Sequence, residues 1–153
     1  METAYANLAK TIERLHRRFL DVVRAELVRL GVRDLSAVQA MLLMNIGGEE
    51  IIIRELIERG YYQGSNVSYN IKKLVEYGYL EQNQVKHDKR SFRVKLTEKS
   101  KDICQKIKEL EECNAQSLVK EGVDTQEIKQ VQRTLKSLER VWGDYIHYGP
   151  PSS

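Results

Sequence analysis

Cysteine and proline are scarce in this chain, and their scarcity excludes two classes of structure. Only two cysteines, Cys104 and Cys113, occur among 153 residues, which excludes a small scaffold held together by disulfides. Both fall on one predicted helix, where they cannot reach each other, and we expect reduced thiols in a cytoplasmic protein. The two prolines, Pro150 and Pro151, stand near the end of the sequence, so the body of the chain carries no strong helix breaker.

Long apolar runs, signal features and ligand clusters are also missing. No stretch of about 18 apolar residues occurs, so we expect no membrane span. The segment METAYANLAKTIERLHRRF lacks the apolar core and cleavage site of a secretory signal. His16, His87 and His147 show no ligand spacing with the cysteines, so we expect neither a metal nor a cofactor. His87 beside Asp88 is the one pair that suggests acid–base chemistry, but no nucleophile elbow or phosphate loop accompanies it, and we do not expect an enzyme.

Residues 64–97 have the pattern of a helix followed by two strands with a charged tip between them. The spacing predicts a short helix from about Ser65 to Glu76, and Gly78 stands where a helix stop is expected. Its apolar face consists of Val67, Ile71, Leu74 and Val75. Its opposite face is polar and basic: Ser65, Asn66, Ser68, Tyr69, Lys72 and Lys73. The size and polarity of this helix suit a recognition helix for the DNA major groove.

The second half of this stretch predicts a wing. One strand opens at Tyr79 and Leu80, and a second runs from Phe92 to Leu96, with Phe92, Val94 and Leu96 facing inwards. The tip between them is residues 86–90, Lys-His-Asp-Lys-Arg. Residues 61–97 carry seven Lys/Arg and three Asp/Glu, a net charge of +4 against +3 for the whole chain. Such a concentration of charge attracts phosphate, although an ordinary solvated hairpin is the alternative.

The remaining residues predict further helices and one small strand that support this stretch. A first helix over 5–30 has apolar residues at spacings of four and three. Ser36 and Gln39 form a capping box for a second helix, which Gly47 ends. Residues 51–53 predict a small strand beside the wing, and 54–59 a short helix. Residues 98–120 predict a fifth helix with Ile103, Ile107, Leu110 and Leu118 on its core side.

A last helix follows the capping-box pattern from Asp124 to Glu127. It carries an unbroken apolar seam at spacings of three and four. The simplest partner for such a seam is a second copy of the chain, with an intrachain helical hairpin as the alternative. The expected dimer interface consists of Leu8, Ile12, Leu15, Ile128, Val131, Leu135, Leu138, Trp142 and Tyr145.

The expected fold class is mainly α with a small β-wing: a winged helix-turn-helix with N- and C-terminal dimerisation helices. Residues 34–97 form the expected DNA-binding domain, and residues 1–33 and 98–148 the helical dimerisation region. Residues 149–153 form a tail that we expect to be disordered.

The chain resembles the MarR family of transcriptional regulators along nearly its whole length. The resemblance rests on element order, on Ser68, Ile71, Leu74 and Gly78 in the recognition helix, on Asp88 and Arg90 in the wing, and on the junction Leu96-Thr97-Glu98-Lys99. The strings IERLHRRFLDV, SAVQAMLLMNIG and RGYYQGSNVSYNIKKLVEYGYL look like its alphaproteobacterial LdtR-like branch. That likeness implies control of cell-wall remodelling or stress genes. The family resemblance also implies a small, often aromatic ligand in a pocket lined by Phe19, Val23, Met41, Leu42 and Tyr62.

The residues support a specific division of labour on double-stranded DNA. We expect Asn66, Ser68, Tyr69 and Lys72 to face the major groove, and Ser65 with the helix N-terminus to hold a phosphate. Lys73, Lys86, Lys89 and Arg90 should contact the backbone, with Arg90 at the minor groove. Asp88 should stabilise the wing through an ion pair with Arg90. A two-fold dimer implies a pseudo-palindromic operator. The alternatives are a winged-helix module for protein interaction and a non-specific architectural DNA-binding protein.

Overall fold

The computed structural model describes residues 1–60 and 62–152, which contain six helices and three strands. The helices are α1 (Glu2–Arg29), α2 (Ala37–Ile46), α3 (Ile53–Gly60), α4 (Gly64–Glu76), α5 (Glu98–Lys120) and α6 (Thr125–Tyr148). The strands are β1 (Ile51–Ile52), β2 (Leu80–Val85) and β3 (Asp88–Leu96). The predicted fold class, mainly α with a small β-wing, is confirmed. Tyr61, just before the recognition helix, and Ser153, in the predicted tail, lie outside the described residues.

The chain divides into two compact units, one from Met1 to Leu110 and one that begins at Glu111. The first unit has a single hydrophobic core to which α1 to α5 and the sheet all contribute. Its buried residues include Val23, Leu27, Leu42, Leu43, Leu56, Val67, Ile71, Leu74, Val94, Ile103 and Ile107. Because one face of α4 is anchored in this core, its opposite face is left for solvent or a partner.

Local sequence signals set the helix ends as predicted. The Ser36 hydroxyl accepts the Gln39 backbone N–H at 3.1 Å, and the Gln39 side chain accepts the Ser36 N–H at 3.0 Å. Asp124 and Glu127 form the same reciprocal pair before α6, at 2.9 and 2.8 Å. Both capping boxes are therefore confirmed. After α4, Gly78 has a φ of +78°, a left-handed conformation that glycine adopts without steric cost, and the chain turns away there.

The strands form one antiparallel sheet in the order β1–β3–β2. Ile51 lies opposite Val94, so the small strand predicted beside the wing is present. β3 already begins at Asp88, and the turn of the wing consists of Lys86 and His87 alone. The five-residue tip predicted from the sequence is therefore too long, because Asp88 to Arg90 continue the hairpin.

The prediction that Phe92 faces inwards on the second wing strand is wrong. Val94 and Leu96 are buried as expected, but Phe92 is exposed. The strand β1 pairs with β3 only at Arg93 and Val94. Beyond that point β3 has a neighbour on one side only, so alternation along the strand no longer places an apolar side chain in the core.

The long helices leave much apolar surface uncovered in the single chain. No residue of α6 is buried, and five of its six seam residues are exposed, with Leu138 half-buried. In α1, Leu8 and Ile12 are half-buried and Leu15 is exposed. Leu118 was predicted on the core side of α5 but is exposed, because the buried residues of α5 end at Ile107. None of the described helices has the length and apolar character needed to cross a bilayer.

Candidate nucleic-acid interface

The recognition helix α4 presents a polar face to solvent. Val67, Ile71 and Leu74 fix its inner side in the core. Five of the six polar residues predicted on the outer side are exposed: Ser65, Asn66, Ser68, Tyr69 and Lys72. Asparagine and lysine side chains carry the donors and acceptors that read base edges in a major groove. The helical period therefore separates the anchoring side chains from those available to DNA.

Lys73 differs from the other cations of α4. It is half-buried, and its Nζ lies 3.5 Å from Glu76 Oε2 and 5.9 Å from the centre of the Tyr69 ring. The Glu76 carboxylate raises the pKa of the Lys73 ammonium. Its charge is thus partly compensated within the helix, and it is a weaker candidate for phosphate than Lys72.

The N-terminus of α4 lacks the side-chain cap that α2 and α6 possess. Gln63 occupies the N-cap position without a side-chain capping bond, and Gly64, Ser65 and Asn66 in the first turn are exposed. The first N–H groups of a helix have no intrahelical acceptor and carry a partial positive charge. Such a terminus can hold a phosphate oxygen.

A contact between Gln39 and Asn70 orients α4 against α2. The Gln39 side-chain amide donates to Asn70 Oδ1 at 3.1 Å while its carbonyl oxygen serves in the capping box of α2. Sequence reasoning assigned Gln39 only the capping role. Thirty-one positions separate the two residues, so no local pattern could have revealed the bond.

Asp88 organises the wing through the backbone. Its Oδ1 accepts the Arg90 N–H at 2.9 Å, and its Oδ2 accepts the Ser91 hydroxyl at 2.7 Å. Ser91 first, and then the Arg90 amide, lower the pKa of this carboxyl. In the described chain the Arg90 guanidinium has no carboxylate within 4 Å, so the predicted Asp88–Arg90 ion pair is wrong. Both oxygens of the Asp88 carboxylate instead accept hydrogen bonds from within the turn.

The cations of α4 and the wing divide into those that pair with a carboxylate and those that do not. Lys95 lies opposite Glu81 in the sheet, with 3.2 Å between Nζ and Oε2. Five other cations in this region are exposed and have no carboxylate within 4 Å among residues 1–60 and 62–152: Lys72, Lys86, Lys89, Arg90 and Arg93. Arg93 was not predicted as a DNA contact, although the prediction that Val94 faces inwards implies that its neighbour Arg93 faces outwards. It lines a shallow groove of about 350 Å³ with Glu50, Lys86 and His87.

The five residues expected to line a ligand pocket do not share one environment. Val23 and Leu42 are fully buried in the core, Met41 and Tyr62 are half-buried against it, and Phe19 is exposed. The Tyr62 hydroxyl accepts a hydrogen bond from the Asn45 amide. A separate cavity of about 600 Å³ lies where α1 meets α2, and none of the five lines it.

Comparison with known proteins places these features in a family. The family described as "Winged helix DNA-binding domain" matches residues 35–100. The exopolysaccharide II synthesis transcriptional activator ExpG of Rhizobium meliloti (strain 1021) is 39% identical over 145 residues, which are 95% of this chain and 75% of ExpG. The MarR protein from Peptoclostridium difficile has a TM-score of 0.76 at 22% identity, over 92% of this chain and 91% of that chain. Streptococcus pneumoniae FabT in complex with DNA has a TM-score of 0.71 at 18% identity, over 92% and 98%.

The two kinds of similarity carry different weight. At 18% and 22% identity the solved structures share the fold. The identity with ExpG extends over almost the whole chain, including the recognition helix, the wing and the long helices. With the observed order of helices and strands, these similarities identify the chain as a member of the MarR family of winged-helix DNA-binding transcriptional regulators.

Proposed function

We propose that this regulator acts as a homodimer that recognises a pseudo-palindromic operator, with α4 in the major groove and the wing along the sugar-phosphate backbone. The observation that carries the proposal is the division of α4 into a buried apolar face and an exposed face of donors and acceptors. We propose a cytoplasmic location because that is where bacterial DNA lies.

The contacts follow from exposure and charge. Asn66, Ser68, Tyr69 and Lys72 read base edges, and Ser65 with the uncapped helix N-terminus binds a phosphate. Lys86, Lys89 and Arg90 bind the backbone at either side of the short wing turn. Lys73 joins them only after it leaves Glu76, so its contribution is the smallest of the set.

The dimer is proposed from the surface of the long helices. The 24-residue helix α6 exposes most of its apolar seam to water, including Ile128, Val131, Leu135 and Tyr145, which is unfavourable. A second copy offers the same seam and the apolar residues of α1, Leu8, Ile12 and Leu15, with matching two-fold symmetry. Two recognition helices related by that axis would read half-sites about one helical turn apart.

We also propose a class of ligand and a class of target genes for this regulator. A small aromatic ligand would act by favouring one spacing of the two recognition helices over another. The control of cell-wall remodelling or stress genes remains a prediction from the sequence. ExpG is an activator for exopolysaccharide II synthesis, which supports cell-surface genes as the first targets to examine.

A fluorescence-anisotropy titration tests the proposal. The probe is a duplex from the region upstream of the protein's own gene, and the competitor is a scrambled duplex of the same length and composition. We expect the wild type to prefer the upstream duplex by at least about a thousandfold at physiological salt. Asn66→Ala removes one base contact from each half-site and should reduce that preference by roughly 30-fold or more, since each such contact is worth about 1–3 kcal/mol.

A matched control separates base reading from general damage. Asn114→Ala makes the same chemical change at an exposed position on α5, outside the winged helix, and should leave the preference unchanged. Equal, weak binding of the wild type to both duplexes would favour an architectural protein over a sequence-specific regulator. Absence of binding to either duplex at low salt would contradict DNA binding and favour the protein-interaction alternative.

A further inference from the structure

The turn that ends the recognition helix receives side-chain hydrogen bonds at three successive carbonyl groups. Lys99 Nζ donates to the Tyr77 carbonyl at 2.9 Å, and Thr97 Oγ1 donates to the Gly78 carbonyl at 2.7 Å. Ser100 Oγ donates to the Tyr79 carbonyl, also at 2.7 Å. The last carbonyls of a helix and the turn after it lack intrahelical partners. Here the residues that begin α5 satisfy all three.

The side chain of Tyr79 extends this contact to a third segment. Its hydroxyl donates to Asp34 Oδ1 in the loop between α1 and α2. Lys99 Nζ lies 3.6 Å from Asp34 Oδ2 and 4.1 Å from the centre of the Tyr79 ring, in cation–π geometry. Tyr79 is only 1% exposed, whereas the side chain of Lys99 is 49% exposed. One buried ring and one solvent-facing ammonium thus join three separate parts of the chain.

These contacts add a directional constraint to the packing at the end of α4. Apolar contacts tolerate small sliding and rotation, whereas hydrogen bonds have narrow distance and angle ranges. Three donors from one short segment, on three consecutive acceptors, fix both the translation and the rotation of the turn. Asp34 holds the Tyr79 ring through the hydrogen bond from its hydroxyl.

We propose that Asp34, Tyr79, Thr97, Lys99 and Ser100 form a clamp that sets the orientation of the recognition helix relative to the start of α5. The clamp rests on the proposed DNA-binding function, and its members are positioning residues because they act through α4. A change in orientation of α4 moves Asn66, Ser68 and Lys72 relative to the base edges. Base contacts require this alignment, whereas long-range attraction to phosphate does not.

Substitution of Lys99 tests the clamp with the least effect on folding. Because it is half-exposed, its ion pair with Asp34 contributes little to folding, and Lys99→Ala should remain folded. Its neighbour Lys101 is a matched control, since it lies in the same turns of α5 and has the same charge, and its side chain pairs with Glu98 at 3.0 Å. Its backbone N–H donates to the Thr97 carbonyl, a bond that Lys101→Ala keeps.

The first arm measures binding to the upstream and scrambled duplexes at a temperature where unfolding curves show every variant to be folded. Lys99→Ala should weaken binding to the upstream duplex by roughly three- to tenfold beyond any effect on scrambled DNA, as expected for losing part of one charged hydrogen bond. Lys101→Ala should change both affinities by the same factor. Lys99→Arg, which keeps the charge and can still reach a carbonyl, should recover part of the preference. An equal effect of Lys99→Ala on both duplexes would overturn the clamp.

The second arm does not depend on DNA. Amide hydrogen exchange over residues 74–79 should accelerate in Lys99→Ala and in Tyr79→Phe, because both loosen the end of α4. It should stay at the wild-type rate in Lys101→Ala. If the wild type shows no preference between duplexes, the proposed function fails, and the clamp is then judged by exchange alone. Unchanged exchange in Lys99→Ala would refute the clamp even if DNA binding is sequence-specific.

Discussion

The salt dependence of DNA binding can be worked out from which cations are unpaired. Five cations of α4 and the wing have no carboxylate partner in the described chain, and a homodimer would present ten. Each phosphate that a protein cation neutralises on B-DNA contributes about −0.9 to the slope of log affinity against log salt concentration. If all ten meet phosphate, the slope is about −9. Fewer contacts give a proportionally shallower slope.

The perturbation is Arg90→Ala, with Lys95→Ala as its control. Arg90→Ala removes one unpaired cation from each copy, so the slope should become shallower by about 2. Lys95 is also exposed on the wing but already pairs with Glu81 at 3.2 Å. Its removal should therefore change the slope by less than about half as much.

The assay is a series of anisotropy titrations with the upstream duplex between roughly 50 and 200 mM salt, where phosphate contacts dominate changes in affinity. A wild-type slope near zero would refute the assignment of the wing cations to phosphate. Equal changes for Arg90→Ala and Lys95→Ala would refute the distinction between unpaired and paired cations. Either outcome can be reached without knowing the operator sequence.

Further predictions concern the core, the turn, the clamp and the dimer. Leu56→Ala removes a fully buried side chain and should lower the free energy of unfolding by about 2–5 kcal/mol, measured by urea titration. Gly78→Ala, at a φ of +78°, should cost about 1–2 kcal/mol in the same titration although its Cβ would meet no atom within 4 Å. The hydrogen bond from the Tyr79 hydroxyl, and then the charge of Lys99, lower the pKa of Asp34. The Asp34 carboxylate therefore stabilises the fold at pH values above its unfolded pKa of about 3.9. That stabilisation is lost as the pH falls through the lower pKa of the folded state. The stability difference between wild type and Asp34→Asn should therefore shrink on acidification, and a difference that stays constant as the pH falls would contradict the linkage. Leu135→Lys places a charge in the exposed seam of α6 and should shift sedimentation from dimer towards monomer, whereas an unchanged sedimentation coefficient would argue against this seam as the interface.

Features set by neighbouring residues were predictable from the sequence. The two capping boxes, the stop at Gly78 and the start of α5 after Thr97 depend on side chains a few positions apart, and each stands where the sequence indicated. The separation of α4 into apolar and polar faces follows from the helical period alone.

Features set by distant residues were not predictable in the same way. Phe92 is exposed because β1 is only two residues long, and alternation along β3 does not reveal the length of a neighbouring strand. Asp88 binds an amide and a hydroxyl where charge alone favoured an ion pair with Arg90. The Gln39–Asn70 bond and the contacts of Lys99 with Tyr77 and Asp34 join segments that only the fold brings together.

Hydroxyl-radical footprinting of the upstream region tests the central claim most directly, because it maps protein contacts along the DNA without assuming an operator. A dimer with two recognition helices and two wings predicts two protected segments related by a dyad, with centres about 10 base pairs apart or a multiple of that spacing. Asn66→Ala should weaken both segments together. Protection of a single segment, or uniform protection without a dyad, would contradict the account of a two-fold, sequence-specific regulator.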